Sequence, residues 1–113
     1  MGRKPALDQL HPEVLRQAGD LGARIRAARK RRRLRLSDLA DKSGLSRSTI
    51  EAIERGALSA SFGAYLAALS AMGLCKELDL IADPGLDRDG LALELSLSDK
   101  RVRVARPDAG NEF

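Results

Sequence analysis

The chain has 113 residues, a formal net charge of +4 and only three aromatic residues, Phe62, Tyr65 and Phe113. That length suits one small domain with a modest core, which must be built from Leu, Ile, Ala and Val. A single cysteine, Cys75, and a single histidine, His11, exclude an intramolecular disulfide and argue against a zinc cluster.

The first twenty residues are mixed in character and weakly periodic, and read as an N-terminal extension over 1–20 with at most one helix. Pro12 can open such a helix, because a first turn does not use the missing N–H. Gly19 and Gly22 are expected to loosen the backbone around position 20. From Leu21 the pattern sharpens. Leu21, Ile25 and Ala28 fall at i, i+4 and i+7, which predicts a helix to about Arg32.

Residues 24–35 carry eight basic side chains (Arg24, Arg26, Arg29, Lys30, Arg31, Arg32, Arg33 and Arg35) and no acid. Such a block suits a polyanion, or else a solvated helix face. Lys30–Arg33 also sits where a helix dipole favours cations.

A second helix is predicted over 36–43, with Leu36, Leu39 and Ala40 on one side. Gly44 suits the left-handed residue that ends a helix. Ser46 is a good N-cap for a third helix, which Ile50 and Ile53 anchor and Gly56 ends. Arg47, Ser48, Glu51, Ala52 and Arg55 are then left on its outer face. Ser61 can cap a fourth helix bearing Tyr65, Leu66, Leu69 and Met72. A short fifth helix is expected over 75–82, closed by Asp83-Pro84-Gly85.

After Gly90 the period changes. Leu91, Leu93, Leu95 and Leu97 alternate with Ala92, Glu94 and Ser96, the pattern of a half-buried strand. A hairpin turning at Asp99-Lys100 would pair Leu97 with Val102 and Leu95 with Val104. A helix is the alternative, since Leu, Ala and Glu are good helix formers. An exposed apolar strand needs a partner, and the simplest is the same segment of a second subunit. The tail 107–113 reads as disordered.

The stretch LSDLADKSGLSRSTIEAIERG resembles the helix-turn-helix family of lambda-type phage repressors and Cro proteins. The resemblance covers about residues 21–82. It rests on Leu39-Ala40, Gly44, Leu45-Ser46, Ile50 and Glu54-Arg55-Gly56 at their fixed spacing. It implies an all-α, five-helix domain over 21–83; residues 84–113 go beyond it and read as an appendage for dimerisation or partner binding. It also implies a homodimer that binds roughly palindromic double-stranded DNA and reads it with helix three.

Carried over by position, base contacts fall on Arg47, Ser48 and Ala52, with Glu51 beside them. Arginine can read guanine bidentately, and a phosphate contact is the other reading of Arg47. Glu51 can accept from cytosine or pair with a neighbouring arginine. Phosphate contacts are assigned to Arg35, Ser46, Thr49, Arg55 and Ser59. Arg29 and Glu54 occupy the places of a structural ion pair. Two positions depart from the family. Leu36 stands where many members place a phosphate-binding glutamine, and Arg35 where a Ser or Thr caps helix two. Arg35 can supply the missing clamp by charge, and Ser37 can cap a helix that starts one residue later.

Size, arrangement and the Lys100-Arg101-Val102-Arg103 tail are also similar to antitoxins that partner HipA-type kinase toxins. That resemblance implies a repressor of its own operon that holds a toxin inactive. No catalytic constellation, metal set or cofactor motif is evident, so neither an enzyme nor a cofactor is expected. No apolar run approaches the roughly 18 residues of a membrane span, and no secretory signal pattern opens the chain. The expected location is the cytoplasm, on DNA.

Overall fold

The computed structural model describes residues 9–104, with side chains from 9 to 100. Residues 1–8 of the expected extension, the tail 107–113 and the side chains of Val102 and Val104 lie outside the described residues. Among the described residues every regular element is helical, in the order α1 (Pro12–Arg31), α2 (Leu36–Ser43), α3 (Arg47–Glu54), α4 (Phe62–Ala71), a 3-10 helix (Lys76–Leu80) and α5 (Arg88–Val104). The chain divides into two compact units between Cys75 and Lys76, and each is described on its own.

In the first unit α1 begins at Pro12, well before Leu21. His11 caps it, its Nδ1 accepting from the Glu13 N–H at 3.0 Å. The helix runs unbroken through Gly19 and Gly22 for 20 residues, a length of about 30 Å. Gly22 therefore does not loosen the chain. It is buried where α1 crosses α3, and a Cβ there would stand 2.5 Å from Gly56 N and 2.6 Å from the Ile53 carbonyl oxygen. Gly56 mirrors it: its φ is +77°, and its Cβ would stand 2.5 Å from the Ala18 carbonyl oxygen. The two backbones touch, and only glycine fits on either side.

The chain leaves α1 through Arg33, whose φ is +57°. The Leu34 N–H reaches back to the Arg29 carbonyl at 3.2 Å, and the Arg33 N–H to that of Lys30 at 2.9 Å. This is the wrapping glycine usually provides, and a non-glycine residue adopts it at a cost of about 1–2 kcal/mol.

Helix α2 starts at Leu36 with Arg35 as its N-cap residue. The expected cap at Ser37 is not used, because Asp38 reaches back from the first turn. Its carboxylate accepts the Arg35 N–H at 2.7 Å and pairs with the Arg35 guanidinium at 3.2 Å. Gly44 then turns the chain with φ +74°, and the Leu45 N–H bonds to the Ala40 carbonyl at 3.1 Å. Ser46 caps α3, its hydroxyl accepting from the Thr49 N–H at 3.1 Å.

The core gathers residues from all four helices: Ile25 of α1, Leu39 and Ala40 of α2, Ile50 and Ile53 of α3, and Ala64, Tyr65 and Ala68 of α4 with Met72 at its end. Ile25, Leu39, Ile50 and Ile53 are at most 1% exposed. Each such side chain contributes roughly 1.5–3 kcal/mol by burial. Leu45 packs half-buried beneath the corner between α2 and α3.

The second unit differs from its expectation. Residues 76–80 form a 3-10 helix, and Ala82 comes after it with φ +61°. The segment bearing Leu91, Leu93, Leu95 and Leu97 is α-helical, neither strand nor hairpin. Asp87 decides this locally. Its side chain accepts the Gly90 N–H at 2.9 Å and its carbonyl the Leu91 N–H at 3.0 Å, which caps a run of strong helix formers. At 100° per residue the leucines separate into two edges, Leu91 with Leu95 and Leu93 with Leu97. All four are exposed. No helix among the described residues is long and apolar enough to cross a membrane.

The glycine crossing is tested by comparing three alanine variants in urea unfolding. Gly22→Ala should lose about 3 kcal/mol or more, since nothing at the crossing can yield except backbone. Gly44→Ala, where a Cβ meets nothing within 4 Å, should lose only the left-handed strain of about 1 kcal/mol. Gly19→Ala, also facing open space, should be neutral or gain roughly 0.5 kcal/mol. Equal losses at positions 22 and 44 would contradict the described crossing.

Candidate nucleic-acid interface

Helix α3 is held to the unit on one side only. Ile50 and Ile53 fix that side to the core. The 100° step leaves Arg47, Ser48, Glu51, Ala52 and Arg55 around the opposite face. Arg47, Ser48 and Arg55 are exposed, while Glu51 and Ala52 are half-buried. The five residues expected on the outer face are therefore brought together. Arg47 and Glu51 form an ion pair at 3.6 Å, with Arg47 mostly in solvent and Glu51 half-buried. Glu51 thus steadies the arginine one turn away.

The N-terminus of α3 carries a chain of hydroxyls. Ser46 Oγ lies 2.9 Å from Thr49 Oγ1 and 3.3 Å from Ser48 Oγ. This places three hydroxyl groups beside a helix N-terminus, where the leading N–H groups and the dipole favour an anion. Ser59 is exposed in the loop between α3 and α4. That loop is pinned from below: the Tyr65 hydroxyl donates to the Ala57 carbonyl at 2.7 Å, and burial pushes the phenol upward from its ordinary pKa.

Behind the outer face of α3, Arg29 of α1 and Glu54 of α3 meet. Arg29 Nε and Nη2 donate to the two Glu54 oxygens at 2.6 and 3.0 Å, and Nη1 donates to the Leu34 carbonyl at 2.9 Å. The side chains are 9% and 6% exposed, so this is a buried fork-to-fork pair. Hydrogen bonding to Glu54 raises the guanidinium above its ordinary pKa. The pair joins α1 to α3, and through Leu34 it also holds the connection to α2.

Arg35, expected to contact phosphate, stands exposed just before α2. Its guanidinium is engaged by Asp38, and the pairing raises Arg35 and lowers Asp38 from their ordinary pKa values. One further basic residue lines a groove beside α3. An open groove of about 360 Å³ lies between α1, the start of α2 and α3, lined by Arg26, Arg29, Leu36, Glu51, Glu54 and Arg55. Arg26 escapes notice in the sequence because it is one of eight bases in a short block. Its spacing of three residues before Arg29 is the signal that places it on the same flank of α1.

A family description, helix-turn-helix domain, matches residues 20–80. The chain belongs to the helix-turn-helix domain family. Members of this class bind DNA by setting the second helix of the motif in the major groove, which is α3 here. No curated protein and no solved structure matches the chain. Among the described residues no group of His, Cys, Asp and Glu could hold a metal ion.

The buried pair yields a stability test. Glu54→Ala should cost about 3–5 kcal/mol in urea unfolding, because it strands a buried guanidinium. The double variant Arg29→Met, Glu54→Leu removes both charges and should recover most of that loss. If the double variant is no better than Glu54→Ala, packing rather than charge controls the position.

Proposed function

We propose that this protein is a sequence-specific transcriptional repressor that binds a palindromic DNA operator as a homodimer. The observation that carries the reading is the division of α3. Its inner side is fixed by Ile50, Ile53 and the Arg29–Glu54 pair, and its outer face offers two arginines, two small residues and one acid. Arg47 reads guanine, with Glu51 setting its direction. Ala52 offers a methyl-sized contact suited to thymine, and Ser48 bonds a base or phosphate. Ser46, Thr49, Arg55 and Ser59 hold the flanking phosphates. The protein works by binding, without catalysis or cofactor.

The dimer forms through the appendage. Leu91, Leu93, Leu95 and Leu97 are 46–65% exposed, and four exposed leucines in seven residues favour a partner over solvent. In this proposal the protein is also the antitoxin of its operon, with a HipA-type kinase toxin as its protein partner. The alternative is a stand-alone regulator with no toxin.

Two experiments test these parts. Arg47→Ala should lose roughly 1–3 kcal/mol of discrimination between operator and random duplex in gel-shift titrations. Unchanged affinity and preference would remove α3 from the readout. The double variant Leu93→Asp, Leu97→Asp should sediment as a monomer where the natural chain sediments as a dimer. It should also lose protection of paired half-sites roughly 34 Å apart. A natural chain that is monomeric on and off DNA would end the dimer reading.

A further inference from the structure

Eight basic residues between 24 and 35 look interchangeable in the sequence, and the structure sorts them. Arg29 is consumed by Glu54. Arg35 is held by Asp38. Arg32 folds back on the Ala28 carbonyl at 3.0 Å. Arg24 stands about 200° around α1 from Arg26 at the 100° step, on another side of the helix. Arg26 alone among the eight lines the groove between α1, the start of α2 and α3 without a carboxylate of its own.

Across that groove is Arg55, at the C-terminus of α3. The two carboxylates in the groove wall are occupied, Glu54 by Arg29 and Glu51 by Arg47. Neither Arg26 nor Arg55 forms an ion pair among the described residues. Two exposed guanidiniums without an ion-pair partner among the described residues thus line one opening, and Leu36 at the start of α2 lines it with them.

We infer that this groove is a DNA phosphate clamp made by Arg26 together with Arg55, and that Arg35 is not its cation. The inference rests on the DNA-binding reading above and adds a residue from α1 to the interface. Its chemistry is simple. One phosphodiester, singly charged and offering two free oxygens, sits between two guanidiniums, each able to donate two parallel N–H bonds. Leu36 offers no side-chain donor at the start of α2. Arg26 supplies the missing hydrogen bonds from the neighbouring helix. The contact is blind to sequence and fixes the depth and tilt of α3 in the major groove.

The test measures affinity for a labelled random-sequence DNA duplex by fluorescence anisotropy across salt, and needs no knowledge of the operator. Each phosphate contact adds about 0.9 to the slope of log affinity against log salt. Arg26→Gln should therefore flatten the loss of affinity between about 50 and 200 mM salt by roughly 3-fold. Arg26→Gln combined with Arg55→Gln should flatten it no further than the same roughly 3-fold, because both guanidiniums serve one phosphate. Arg26→Lys should keep the slope, while Arg24→Gln and Arg35→Gln should change it much less than Arg26→Gln. Thermal unfolding of each variant should match the natural chain, since these side chains are exposed. A natural slope in Arg26→Gln, or an equal loss in Arg24→Gln, overturns the clamp while leaving DNA binding intact. A natural chain with no affinity for duplex overturns both.

Discussion

Helix α1 crosses the end of α3 with no side chain between them. Gly22 and Gly56 meet backbone to backbone, and this contact sets how deeply α3 sits against the rest of its unit. A larger residue on either side would lift α3 outward. Ile50 and Ile53 would then lose their place in the core, and Glu54 would lose its reach to Arg29. Three kinds of interaction therefore share one geometric origin. Steric closeness permits apolar burial, and burial brings the ion pair into a setting where its fork geometry counts. The same constraint turns the outer face of α3 away from the core and leaves Arg47, Ser48 and Arg55 exposed.

The buried Arg29–Glu54 pair adds direction to this contact more than strength. A charged pair removed from water recovers little net energy, because desolvation offsets attraction. It does discriminate between arrangements. A rotation of α3 by one residue would bury a different side chain opposite Arg29 and leave a guanidinium unpaired. The third donor of Arg29, spent on the Leu34 carbonyl, extends the same control to the segment leading into α2. The pair thus couples the rotation of α3 to the path of the chain before it.

Much of the first unit is legible in the sequence because its signals are local and redundant. Ser46 and Ser61 cap α3 and α4, and Gly44 takes a left-handed turn. The apolar positions fall at helical spacing in four successive helices. Arg29 and Glu54 can be placed by resemblance, but nothing in their spacing shows that they meet. The start of α1 is misplaced when Gly19 and Gly22 are read by propensity. Gly22 answers instead to a contact 34 positions away, which no local rule contains. The leucine run misleads for a different reason. Alternation at period two is also what a helix with two apolar edges displays, and the Asp87 cap with the strong helix formers behind it decides between them. Arg26 is hidden because a run of like charges carries no information on which member faces a groove.

The Tyr65 hydroxyl has a consequence for the thermodynamics of binding. It ties the loop after α3 to α4, so that Arg55, Ala57 and Ser59 belong to the same framework as the core. A loop that must be ordered on binding costs about 0.5–1.5 kcal/mol for each side chain immobilised. Here much of that order exists beforehand, and so does the helix that precedes the loop. Association of this unit with a duplex then resembles the meeting of two formed surfaces. Its heat-capacity change should reflect the area covered in the interface, without the larger contribution that accompanies folding on a partner.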